Sequence, residues 1–161
     1  MSDSKILIRD AMANDCKALL VLMKKLAAFE GYLDDFIVTE KDLIQHGFPI
    51  EAPLDIDSKP TFTAIVAERD AKLVGYLVYY LIPFSYDLKP TLFIKELYID
   101  KDLRGQSIGK QLMQKAIVDA KENNCGRIKW DVLSDNISAQ LFYQSLGAKH
   151  DARWQGYVLT L

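Results

Sequence analysis

Apolar residues recur at helical spacing near the start of the chain, with Cys16, Leu19, Leu20, Met23, Leu26 and Ala27 on one face. The pattern predicts a first helix that begins after Asn14 or Asp15, either of which can cap it, and ends near Glu30 and Gly31. Residues 6–9 before it read as a short strand. Thr39 and Asp42 have capping-box spacing, with Asp in place of the usual Glu or Gln, so a second short helix is expected to about Gln45. A polar stretch over 49–60 then reads as a loop.

Residues 62–68 and 73–81 are rich in β-branched and aromatic side chains and predict two strands, with Asp70, Ala71 and Lys72 as the turn between them. A loop over 83–90 leads into a strand over 92–99. A helix over 109–123 follows, with Leu112, Met113, Ala116, Ile117 and Ala120 on one face. Residues 128–132 read as a strand. Residues 136–145 read as a helix that Gly147 closes, and 157–161 as a last strand. One more short strand fits near Ala148.

This order, βααβββαβαβ, argues for a mixed sheet with helices on both faces and against a doubly wound dinucleotide fold. The length of 161 residues and the lack of internal repeats indicate one domain, spanning 5–161. The formal net charge of −2 leaves no basic field for nucleic acid. Cys16 and Cys125 stand alone, which argues against a metal or redox site and for a reducing compartment. Neither a signal-peptide pattern nor a membrane-length apolar run is present, so a cytoplasmic location without membrane contact is expected.

Candidate chemistry centres on the strand-to-helix turn after residue 99. Asp100, Lys101 and Asp102 lead into Arg104, Gly105, Gln106, Ser107, Ile108 and Gly109. Small residues there let the backbone approach a ligand, and the N–H groups of a helix start point at an anion such as pyrophosphate. Arg104 or Lys110 can add charge. A phosphate-binding P-loop is excluded, because Arg104 replaces its first glycine and Gln111 its Mg²⁺-binding hydroxyl.

The run from Arg104 to Gly109 resembles the acetyl-CoA motif of the GNAT superfamily of N-acetyltransferases, [QR]-x-x-G-x-[GA]. Glu96, Leu97, Tyr98 and Ile99, followed by Asp100, resemble that superfamily's approach to the motif. Asn136, then Leu141, Phe142, Tyr143, Gly147 and Ala148, resemble its downstream element. Within the superfamily the N-terminal half is similar to the spermidine/spermine and thialysine acetyltransferase branch, through Leu26-Ala27-Ala28-Phe29-Glu30, Thr39-Glu40-Lys41-Asp42-Leu43 and Gly47-Phe48.

The resemblance implies a GNAT fold of the α/β (α+β) class: a mixed, mostly antiparallel sheet of six to seven strands with about four helices. It implies acetyl-CoA as acyl donor, a small-molecule amine as acceptor, no metal, and a homodimer. Leu97, Tyr98, Ile99, Arg104, Gly105, Gln106, Ser107, Ile108, Gly109, Lys110, Asn136 and Ala139 would contact the donor. Tyr143 would protonate the leaving thiolate. Glu96 would serve as base or merely orient the substrate. Glu30, Lys95 and Trp154 would face the amine. Asn136 has an alternative as a helix cap, and Tyr143 as a core residue. Tyr86 and Asp87 are further candidates for the amine pocket; for these two and for Trp154 the alternative is core or loop packing, and for Glu30 a solvated helix end.

Four positions depart from the pattern of the family and branch. Ser107 stands where glycine is usual. Lys95 replaces a glutamate of the polyamine enzymes, and Ala152 and Arg153 replace acidic residues before Trp154. Cations at those positions disfavour a polycation. A protein N-acetyltransferase, or a weakly catalytic acyl-CoA-binding module, are the competing readings.

Overall fold

The computed structural model describes residues 5–49 and 59–161, so most of the loop expected over 49–60 lies outside the described residues. The chain divides into two compact units, Met1–Asp131 and Val132–Leu161, each of which is described by itself.

The first unit contains β1 (Leu7–Asp10), α1 (Cys16–Glu30), α2 (Glu40–Gly47), β2 (Thr63–Arg69), β3 (Lys72–Ile82), β4 (Thr91–Ile99), α3 (Ile108–Glu122) and β5 (Arg127–Trp130). The strands lie side by side in chain order. They run antiparallel from β1 to β4, and β5 joins β4 in parallel. The hairpin between β2 and β3 turns on Asp70 and Ala71 alone, with φ of 51° and 60°. Two left-handed residues match the twist of the flanking strands, so Lys72 already belongs to β3.

Strand alternation assigns the two sheet faces. On one, Ala64, Val66, Tyr76, Val78 and Tyr98 pack against Cys16, Leu19, Leu22, Met23 and Leu26 of α1. On the other, α3 packs across β2, β3 and β4 with Leu112, Met113, Ala116 and Ala120 buried. Tyr79, on that second face, donates to the buried carboxylate of Asp119 at 3.1 Å. Lys115 pairs with Asp119 and with Asp10, which fastens α3 to the edge of the sheet.

Thr39 and Asp42 form the expected capping box at the start of α2. Asp15 holds the N-cap position of α1 but does not cap it. Its carboxylate instead accepts from the Arg9 guanidinium at 2.7 and 3.0 Å and from the Met12 N–H at 2.7 Å. Arg9 also pairs with Glu68 at 2.6 Å. A charged bidentate partner is stronger than a neutral amide, so the ion cluster wins over the cap.

The second unit holds α4 (Ile137–Ser145). The expectation of six to seven strands is corrected here, because five form among the described residues. Neither 157–161 nor the segment near Ala148 is a strand. The strand-like residues Tyr157, Val158, Leu159 and Leu161 are all at least 85% exposed. A β-prone run makes a strand only where a neighbouring ladder takes up its N–H and C=O groups.

Candidate active site

β5 pairs with β4 only from Thr91 to Ile94. The ladder then stops, and residues 96–99 pair with β3 alone: Glu96 with Val78, Leu97 with Leu77, Tyr98 with Tyr76, Ile99 with Gly75. One edge of Leu97, Tyr98 and Ile99 is therefore without a sheet partner among the described residues. Lys95 is the extra residue of a bulge, where the register shifts opposite Val78 and Tyr79. A bulge bends its strand and re-aims the side chains around it.

β4 then runs into the turn that the sequence singled out. The Asp100 N–H bonds the Val74 carbonyl at 2.9 Å, and a single 3₁₀ turn covers Lys101–Leu103. Arg104 follows with its guanidinium 5.4 Å from the Phe29 ring centre and 5.7 Å from that of Tyr98. Gly105 takes φ 81°, which its lack of a Cβ allows. Ser107 also takes a left-handed φ, 62°, and its hydroxyl makes no capping bond to α3. The first bond of that helix runs from the Gln111 N–H to the Ser107 carbonyl, at 3.0 Å. The N–H groups of Ile108, Gly109 and Lys110 thus have no acceptor within the helix, at its positive dipole end. Ile108 is 1% exposed and pins this end to the core.

Glu96 lies half-buried on the α1 face of the sheet. Its Oε2 accepts from the Tyr76 hydroxyl at 2.9 Å. Burial raises its carboxyl above the usual range; Tyr76 and Lys95 pull it down and Glu30 pushes it up. Glu30, the last residue of α1, is likewise raised by burial and lowered by Lys95. The Tyr32 hydroxyl is pushed up to about 12 by burial and by the two carboxylates. Glu30, Lys95 and Glu96 therefore share one electrostatic neighbourhood. Tyr32 and Tyr76, to which the sequence reading assigned no site role, belong to it as well. An aromatic in an apolar strand reads as core, and only the pairing of β3 with β4 reveals that the Tyr76 hydroxyl meets a carboxylate.

Two further candidates fall elsewhere. Asp87 pairs with Arg127 at 2.5 Å, and the Tyr86 ring lies 4.8 Å from the same guanidinium. Arg127 is opposite Thr91 at the start of β4. Five residues of strand, roughly 17 Å, separate that point from Glu96. Tyr86 and Asp87 are therefore loop packing rather than a lining of the Glu96 neighbourhood. A concavity of about 420 Å³ between α1 and the β2–β3 hairpin is lined by charged groups most of which are already paired. Its Arg9, Asp15 and Glu68 are bound to one another, and its Lys25 is paired with Asp100.

In the second unit, Asn136 caps α4, its side-chain oxygen accepting from the Ala139 N–H at 3.1 Å. Tyr143 lies on α4 with its ring centre 5.2 Å from that of Phe142. Trp154 is 73% exposed. Among the described residues no cluster of His, Cys, Asp and Glu could hold a metal ion, and no helix is long and apolar enough to cross a membrane.

Residues 26–148 match the family described as Acetyltransferase (GNAT) family. The chain belongs to that family. This GNAT chain is an N-acetyltransferase, and enzymes of its family use acetyl-CoA. It is 28% identical over 162 residues to the thialysine N-epsilon-acetyltransferase of Sus scrofa, covering 96% of this chain and 90% of that protein. It is 30% identical over 161 residues to the spermidine/spermine N(1)-acetyltransferase-like protein 1 of Homo sapiens, covering 94% of this chain and 22% of that one. Its fold matches an aminoglycoside N-acetyltransferase solved in complex with CoA, with a TM-score of 0.74 at 17% identity, over 98% of this chain and 97% of the other. The resemblance read from the motifs holds at the level of family and fold class.

Proposed function

We propose that this chain moves the acetyl group of acetyl-CoA directly to the primary amine of a small molecule. The layout of β4 carries the reading. The strand leaves its β5 partner at Ile94, presents Glu96 two residues later, and runs into a turn whose first helix N–H groups have no acceptor within the helix.

Acetyl-CoA is a substrate here, supplying an activated thioester. Its pyrophosphate suits the N–H groups of Ile108, Gly109 and Lys110 and the turn from Arg104 through Gly105, Gln106 and Ser107. The free edge of Leu97, Tyr98 and Ile99 suits the amide-bearing pantetheine arm, and a strand N–H can polarise the thioester carbonyl. Asn136 and Ala139 are assigned to the donor by their motif. The amine is protonated at neutral pH and must lose a proton before it attacks. Glu96 takes that proton. The new C–N bond forms as the C–S bond breaks, Tyr143 gives its proton to the departing CoA thiolate, and the second proton lost by the acylated nitrogen restores the tyrosine.

The substrate side carries two carboxylates, Glu30 and Glu96, and one ammonium, Lys95. That balance favours an amino acid with a side-chain amine, of the thialysine kind, over a polycation such as spermidine. Lys95 can pair with a substrate carboxylate and repels a second ammonium. Trp154 is assigned to the amine side, the molecule to the cytoplasm, and the working assembly to a homodimer.

The test is CoA release from acetyl-CoA with thialysine, lysine, ornithine, putrescine, spermidine and basic peptides. Turnover of the amino acids above the polyamines is expected. Turnover of peptides alone would replace the reading with a protein acetyltransferase. Acetyl-CoA binding by calorimetry with no turnover of any amine would replace it with a binding module.

A further inference from the structure

We propose that Tyr76 is a positioning residue for Glu96, holding one carboxylate oxygen so that the other faces the amine. The proposal rests on the reading of Glu96 as the base.

The strand register explains why the two meet. Tyr76 pairs with Tyr98 and Val78 pairs with Glu96, so Tyr76 and Glu96 are diagonal neighbours on one face of the β3–β4 pair. Diagonal neighbours lie about 7–8 Å apart, within reach of a long aromatic side chain. The Tyr76 ring is 0% exposed and packs in the core formed with α1. The Tyr98 ring lies 6.3 Å away, centre to centre, and packs beside it. A phenylalanine would fill the same space. The hydroxyl adds a buried donor, and a buried donor needs an acceptor. Glu96 Oε2 supplies it at 2.9 Å.

Glu96 Oε1 has no hydrogen-bond partner among the described residues. With Oε2 fixed by Tyr76, Oε1 is the oxygen left to accept a proton from the amine or from a relaying water. The charged and titratable groups facing Glu96 are Tyr76 from β3, Lys95 from its own strand, Glu30 from the end of α1, and Tyr32 just after it. Of these, Tyr76 alone is held in the core and bonded to the carboxylate. A hydroxyl that donates to a carboxylate stabilises its charged form, so Tyr76 opposes the burial that pushes the Glu96 carboxyl up.

The experiment compares Tyr76→Phe with the unaltered protein, with Glu96→Gln to assign the Glu96 signal, and with Tyr79→Phe as control. Tyr79→Phe also removes a buried hydroxyl that donates to a carboxylate, but on the opposite face. Two quantities are read: the Glu96 carboxyl titration by carbon-13 NMR, and the acid limb of kcat/KM with the amine turned over fastest. Tyr76→Phe is expected to raise both by about one unit, with KM for acetyl-CoA unchanged. Tyr79→Phe is expected to leave both in place, although it lowers the thermal midpoint. If Glu96→Gln abolishes the acid limb and Tyr76→Phe moves neither quantity, Tyr76 is a core residue only and the proposal fails. If Glu96→Gln keeps the limb, Glu96 is not the base, and the assignment of Tyr76 falls with that of Glu96.

Discussion

The Nε of Arg104 donates to the backbone carbonyl of Ile99 at 3.1 Å, closing the turn between β4 and α3. Its guanidinium also lies over Phe29 and Tyr98, so the first residue of the acetyl-CoA motif ties the end of α1 to the end of β4. A planar cation stacked on two rings acts through packing as much as through charge. Arg104→Ala is expected to raise KM for acetyl-CoA about ten-fold, equivalent to about 1.4 kcal/mol. Arg104→Lys, which keeps the charge and loses the stack, is expected to recover only part of it. Initial rates at varied acetyl-CoA check both, and equal recovery by lysine would show that charge alone matters.

Ser107 sits at φ 62° in the motif position where glycine is usual. A left-handed backbone costs a residue with a Cβ about 1–2 kcal/mol. Glycine gives back about 0.4–1 kcal/mol through its freer unfolded chain. Ser107→Gly is therefore expected to stabilise the protein by about 1 kcal/mol or less, a rise of about 2–4 °C at most in thermal midpoint. Because the serine hydroxyl does not cap α3, acetyl-CoA affinity by calorimetry should stay level or improve. A loss of affinity would mean that the hydroxyl itself binds the donor.

Lys95 is exposed at the bulge and acts on both Glu30 and Glu96. Lys95→Glu is expected to raise kcat/KM for spermidine relative to thialysine by about five-fold, since one opposite-sign neighbour at partly screened range is worth about 1 kcal/mol. Parallel kinetics on the two amines decide it. An unchanged ratio would remove Lys95 from the specificity site.

Asp15 is held below the ordinary carboxylate range, first by its hydrogen bonds to Arg9. A depressed folded value gives stability that is present above the unfolded pKa, about 3.9, and is lost as pH falls through the folded value. The thermal midpoint should fall as pH drops below about 4, and Asp15→Asn should flatten that fall. At pH 7 the substitution is expected to cost about 1–3 kcal/mol. The Asp15 side chain is 12% exposed, so solvent screens the pair little. Scanning calorimetry of both proteins at pH 7 and pH 3.5 checks it.

Much of this molecule can be read along the chain. The stripe on α1, the capping box at Thr39 and Asp42, and the strand-turn-helix from Glu96 to Gly109 are local. Their physics is side-chain periodicity, backbone capping and the allowed φ of small residues, all fixed within a few positions. For that reason the element order as far as α4, the family and the candidate donor turn follow from sequence, to within a residue or two at most boundaries.

Tertiary structure decided what depends on partners far apart in sequence. Asp15 could cap α1, but Arg9, itself bridged to Glu68 across the β1–β2 pair, claims its carboxylate. Residues 157–161 have the β-prone side chains of a strand, yet among the described residues no ladder takes them up. Tyr76 and Glu96 are separated by twenty residues, and only the β3–β4 register makes them neighbours. A strand's side-chain pattern says which residues share a face. Which of them touch is set by register, and register is a property of two strands rather than of either one.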